Sequence, residues 1–125
     1  MTPRKKVRII LDGERPQTWN KYWSGQHWAV RKADADRVHM LVRAAIDPSK
    51  AFIYDNPVKI TISVWFKSHP QDAPNICTKP YIDALQNWYI EDDNPKFLPR
   101  VEAASYVDKR RPRLEIEIEE LIVPF

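Results

Sequence analysis

An α+β fold follows from three observations on this sequence. Residues 58–66 (VKITISVWF) and 114–119 (LEIEIE) alternate apolar with polar side chains, which gives two strands with one buried face each. Residues 27–46 carry apolar side chains at helical spacing. Turn signals separate such elements in the order β-α-β-α-β-β, so we expect a small mixed or antiparallel sheet of about four strands with both helices on one face. At 125 residues the chain fits one domain, spanning 1–125.

Residues 7–11 (VRIIL) are short and β-branched and run into Asp12-Gly13, a strand followed by a turn. Next, Trp19, Trp23 and Trp28 are interleaved with Lys21, His27, Arg31 and Lys32. Aromatics beside cations stack bases and pair phosphates, but in a small domain at least two of these tryptophans are expected as core anchors. Asn20 and Lys21 fall in the loop, where they can face a ligand. In the helix at 27–46, Val30, Ala33, Val38, Leu41, Val42 and Ala45 are expected on one face, and Asp47-Pro48 stops it. Thr78 is a good N-cap for a second helix, because Pro80 is tolerated only in a first turn. That helix is expected to run through Tyr81, Ile82, Leu85 and Trp88 and to end at 91–95 (EDDNP). Residues 100–108 read as a third strand and 109–112 as a hairpin connection to the fourth, so these two strands should pair antiparallel.

Composition excludes several classes. No apolar run reaches the ~18 residues of a membrane span and no signal-peptide pattern opens the chain, so no membrane partner and a cytoplasmic location are expected. A single cysteine, Cys77, excludes an internal disulfide framework and a cysteine-based zinc site within one chain. The net charge of +3 points only weakly to a polyanion, but its distribution says more. Arg4, Lys5, Lys6 and Arg8 open the chain without an acid among them, and Lys109, Arg110, Arg111 and Arg113 form a second cluster. Both suit a surface that grips phosphates.

The stretch 72–100 concentrates the chemistry. It holds Asp72, Asp83, Asp92 and Asp93 together with Lys79. Mg²⁺ prefers oxygen ligands, needs few of them from protein, and keeps waters that a substrate phosphate can displace. Two or three aspartates from different loops would suffice. A helix of three turns would part Asp72 from Asp92-Asp93 by roughly 15 Å, so the loops must fold back for the acids to converge. Asp83 either lies between them or pairs with Lys79 four residues before it. The run 91–95 is equally ordinary turn chemistry.

The run DAPNICTKPYIDAL, followed by WYIEDD, resembles the RusA family of Holliday junction resolvases. That family carries D-x-D-N, then a lysine, then a D-A-L helix, then a D-D pair. The N-terminal strand with PQTWNKYW and the terminal RLEIEI extend the likeness more weakly over nearly the whole chain. The resemblance implies a Mg²⁺-dependent homodimeric endodeoxyribonuclease, with Mn²⁺ able to substitute, that binds branched double-stranded DNA and cuts four-way junctions symmetrically. It implies the cytoplasm of a bacterial or phage-infected cell. Carried over by position, Asp72, Lys79 and Asp93 would be catalytic, Asp72, Asp92, Asp93 and Asp83 would form the metal set, and Asn75 would contact DNA. Further DNA contacts are expected from Asn20, Lys21, Arg31, Lys32, Lys109, Arg110 and Arg111. Two departures stand out: Pro74 replaces the second aspartate of D-x-D-N, and Asn75 to Lys79 is one residue longer than usual.

Two other classes stay open. One is a DNA binder on the same scaffold that does not cut, for which Pro74 argues. The other is a protein-interaction module whose tryptophans face a partner.

Overall fold

A computed structural model describes residues 6–23 and 28–121. The elements are β1 (Val7–Asp12), α1 (Trp19–Trp23), α2 (Trp28–Ala44), β2 (Val58–Phe66), a 3₁₀ turn (Ala73–Asn75), α3 (Lys79–Asp83), β3 (Arg100–Val107) and β4 (Arg113–Glu120). The fold is α+β, as the alternation and the helical spacing require. His27, Arg4 and Lys5 lie outside the described residues. Among the described residues no helix is long and apolar enough to cross a membrane.

The four strands form one mixed sheet in the order β1-β4-β2-β3. β2 is central because every core-facing side chain, Val58, Ile60, Ile62, Val64 and Phe66, is large and fully buried. β4 pairs antiparallel with both β1 and β2, which sets Ile9, Ile116 and Ile62 in one row and Leu11, Leu114 and Val64 in the next. β3 runs parallel to β2 and extends those rows with the smaller Ala103 and Ser105. Small core-facing residues suit an edge. The parallel pairing requires a crossover, supplied by residues 67–99.

The expected hairpin between β3 and β4 does not form, because β2 lies between them. The Asp108 N–H donates to Phe66 O and so prolongs the β2–β3 ladder by one bond. The Asp108 carboxylate then accepts the N–H groups of Arg110 and Arg111, 3.0 and 3.1 Å away. This side-chain turn carries the link over the end of β2.

α2 also departs from expectation. Val38 and Val42 are fully buried, whereas Val30 is 54% exposed and Ala33 and Ala45 are exposed. Only the second half of the helix meets the core. Neither Trp23, 56% exposed, nor Trp28, 63% exposed, anchors the core, and Trp19 is only partly buried.

α3 is a single turn and not three. Thr78 occupies the N-cap position without a capping bond from its hydroxyl, and Pro80 sits in the first turn. Asn87 takes a left-handed φ of 68° and its N–H bonds back to Ile90 O at 2.7 Å, which reverses the chain. Asparagine tolerates that conformation better than most residues.

Glu14 ties α3 to the rest. It is buried beyond the end of β1, where Arg37 of α2 donates to both its oxygens at 3.1 and 3.0 Å. The Tyr81 hydroxyl of α3 donates to Glu14 Oε2 at 2.7 Å. Burial, with the Glu14 charge beside it, pushes the Tyr81 phenol well above its usual range. Tyr81→Phe keeps the ring and deletes this donor. It is expected to lower the unfolding free energy by about 1.5–3 kcal/mol, the range for bonds to charged groups. A urea midpoint unchanged at constant m-value would refute it.

Candidate functional site

The region around α3 is held by straps from distant parts of the chain. The Cys77 N–H donates to Gln17 O at 3.0 Å, and Thr18 and Ile76 form an isolated antiparallel bridge. Gln71 Nε2 donates to Pro16 O at 2.7 Å, while the Ser105 hydroxyl of β3 donates to Gln71 O. The Thr18 side-chain oxygen accepts the Lys21 N–H at 3.1 Å and starts α1. These bonds set Trp19 of α1 beside the 3₁₀ turn, α3 and β3.

The result is two adjoining hollows. The smaller, about 200 Å³, is lined by Trp19, Thr78, Lys79, Asp83, Asp93 and Val101 among others. The larger, about 320 Å³, shares Trp19, Thr78 and Val101 and continues over Ala73, Pro74, Ile76 and Ala103. The first is charged along one side. The second has no charged residue in its lining.

Lys79 and Asp83 stand one helical turn apart, with Lys79 Nζ 3.6 Å from Asp83 Oδ2, and both are partly exposed. Asp93 enters the same hollow from the loop after the Asn87 reversal. Its neighbour Asp92 bends the turn, and the Asp92 carboxyl also lies against the Asp93 side chain. Asp92 Oδ1 accepts the Asp93 N–H at 2.8 Å and Oδ2 accepts Asn94 Nδ2 at 3.1 Å. The Asp93 backbone N–H first, then the Asp93 side chain and Asn94, hold the Asp92 carboxyl below the usual carboxylate range. Asp92 therefore shapes the turn and Asp93 faces the hollow. Phe97 O accepts the Val58 N–H at 3.0 Å, anchoring this loop to the start of β2.

The structure thus brings Lys79, Asp83 and Asp93 together. Asp72 is exposed at the start of the 3₁₀ turn, beside the larger hollow's Ala73 and Pro74, and does not line the hollow of Asp93. Among the described residues no group of three or more histidine, cysteine, aspartate or glutamate side chains is close enough to hold a metal ion. The pair Asp83 and Asp93 does offer two hard carboxylates on one hollow. That suits Mg²⁺, which takes one or two protein carboxylates plus waters and substrate phosphate.

The residues expected at DNA are dispersed. Asn20 and Lys21 are exposed on α1, and Asn75 is exposed on the 3₁₀ turn. Arg31 lies over the rings of Trp23 and Tyr22 at 5.1 and 5.8 Å, and Lys32 pairs with Asp36 at 2.8 Å. Arg111 pairs with Asp12 at 3.0 Å, whereas Lys109 and Arg110 are exposed in the same loop. That loop follows Val107, at the opposite end of β3 from Val101, roughly 20 Å away at ~3.3 Å per strand residue. Arg8 is committed to buried Glu115 on the other face of the sheet. Arg8 and the 109–111 loop therefore do not border the hollow.

Sequence reasoning missed Trp19 and Val101 as walls of this site. In the sequence Trp19 is only one of three tryptophans among cations, able to stack a base or to anchor the core. No protein-family model matches the chain, and no curated protein matches it.

Cys77 sits in the strap and is 1% exposed. Burial pushes its thiol up to about 11. At pH 8 the native protein is expected to resist the thiol reagent DTNB over minutes and to react fully in 8 M urea. Rapid reaction of the native protein would show that this strap opens readily.

Proposed function

We propose that this chain is a RusA-like, metal-dependent endodeoxyribonuclease that acts on branched double-stranded DNA. The observation that supports this best is the meeting of Lys79, Asp83 and Asp93 on one hollow. An ammonium beside two carboxylates suits hydrolysis of a phosphodiester, where charge grows on the phosphate oxygens and on the leaving oxygen.

In this reading Asp93 and Asp83 would hold Mg²⁺, with Mn²⁺ able to substitute, and Asp72 would reach the substrate from the neighbouring loop. The ion, when bound, supplies charge neutralisation at the phosphate and an acidified water. Lys79 faces the phosphate and stabilises its developing charge. Asp83, 3.6 Å from Lys79, orients that ammonium. Water oxygen joins phosphorus, the ester P–O bond breaks, and a proton passes to the departing alkoxide. Asn20 and Lys21, which follow Trp19 in α1, and Asn75, between Pro74 and Ile76, are exposed and would meet the adjoining backbone. Lys109 and Arg110 would meet a second arm of the DNA. A four-way junction has approximate two-fold symmetry and needs two cuts, so a two-fold homodimer in the cytoplasm is part of the proposal.

A second reading is favoured by Pro74 in the larger hollow, where the family pattern places an acid. There the same surface binds branched DNA without cutting it. A nicking experiment on a mobile-core four-way junction, with and without Mg²⁺, separates the two. Cutting is expected only with the ion. Asp93→Asn should abolish it while junction binding persists, and Asp92→Asn, which keeps the turn, should leave most of it. Lys79→Ala should slow cutting by about 10²–10³-fold. Undiminished cleavage by the Asp93 variant would reject the site. Salt-dependent binding without nicking in Mg²⁺ or Mn²⁺ would establish the second reading.

A further inference from the structure

We infer that the two adjoining hollows receive one nucleotide that has left the base stack, with its phosphate at Lys79 and its base lying on Trp19. This deepens the proposed function and rests on its premise that Lys79 meets a nucleic-acid phosphate. It makes Trp19 a specificity-determining residue that selects branched over continuous duplex.

The trough is charged at one end and uncharged at the other. Lys79, Asp83 and Asp93 mark one end, and Ala73, Pro74, Ile76 and Ala103 mark the other. Trp19 lines both, so it stands where the character changes. A nucleotide has the same division, an anion at one end and a flat, weakly polar base at the other. An apolar side chain from a protein would fill the second hollow and leave Lys79 unused. A phosphate alone would leave the uncharged hollow unused.

The indole of Trp19 is also held in place. It meets buried Tyr22 edge-on, with centroids 6.3 Å apart at 87°, and runs parallel to Trp23 at 6.5 Å. A ring braced by its own helix loses little freedom when a base stacks on it. Base–aromatic stacking is tolerant of sequence, since every base has a π face.

A base in continuous duplex is covered above and below by its neighbours and cannot enter the trough. It must first be unstacked, which is easiest where stacking is already broken. A branch point supplies such a base. Trp19 thus rewards substrates with an interrupted stack, with no need to read sequence.

The test uses the full chain in Ca²⁺ to hold off cutting, with a four-way junction and a matched duplex as probes. Trp19→Ala is expected to weaken junction binding by about 10–100-fold, in line with the loss of one stacked base, and duplex binding by less than about threefold. Trp19→Phe should stay near wild type. Ala103→Phe, which fills the uncharged hollow from β3 and leaves Trp19 in place, should reproduce the junction-specific loss even if the alanine variant folds poorly. With 5-iodouracil at the branch, light-induced crosslinking should map to Trp19. Equal losses on junction and duplex, or crosslinks elsewhere, would overturn the base platform while leaving the phosphate reading intact. Loss of self-association in Trp19→Ala, seen by sedimentation, would overturn it in favour of a second copy of this chain as occupant. A wild-type protein that binds neither probe would sink both readings together.

Discussion

Glu14 is a carboxylate taken almost wholly out of water, and the arrangement of the helices depends on how that cost is met. An uncompensated buried charge costs several kcal/mol. Here both oxygens are engaged, one pair of bonds coming from Arg37 of α2 and a third from the phenol of Tyr81 in α3. Three elements far apart in sequence must hold fixed positions for those bonds to exist together. An apolar contact in the same place would tolerate sliding. The Glu14 network does not, so α3 presents Lys79 and Asp83 at a defined height above the sheet.

The brevity of α3 matters as much as its anchoring. A three-turn helix would have carried Asp93 far from Lys79. The left-handed Asn87 turns the chain back after a single turn, and the Asp92 side chain then builds the next bend. Two residue types that tolerate tight turns therefore place an aspartate opposite a lysine fourteen positions earlier. The side chains of Asp92 and Asp93 touch, but the Asp92 carboxylate accepts a backbone N–H that builds the bend while Asp93 lines the hollow.

The other face of the sheet shows how little the net charge reveals. Glu115 is buried there at 3% exposure; burial opposes its ionisation, but Arg113 and Arg8 outweigh that and hold its carboxyl below the usual range. Arg113 also lies 4.0 Å over Trp65, which stacks in turn on Tyr106. Two of the chain's cations are thus absorbed in cancelling a buried acid. Lys109 and Arg110, by contrast, stay exposed.

The alternation in 58–66 and 114–119 by itself determined which side chains of β2 and β4 are buried, because a strand's period of two is fixed by its own backbone. The helical pattern in 27–46 likewise determined that α2 exists, and the aspartates around Lys79 marked where to look for chemistry. The neighbours of each element were decided only by the tertiary structure. The link 108–112 has hairpin length, yet β2 displaces β3 from β4, since burying five large side chains at the sheet centre outweighs pairing the nearest strand. Val30 and Ala33 fit the helical spacing yet stay exposed, because the core does not reach the first turns of α2. Trp19 came to Lys79 across sixty residues through bonds between loops that have no periodicity to read. Local geometry is written in local sequence, whereas the meeting of remote loops is settled by competition for burial and hydrogen bonds over the whole chain.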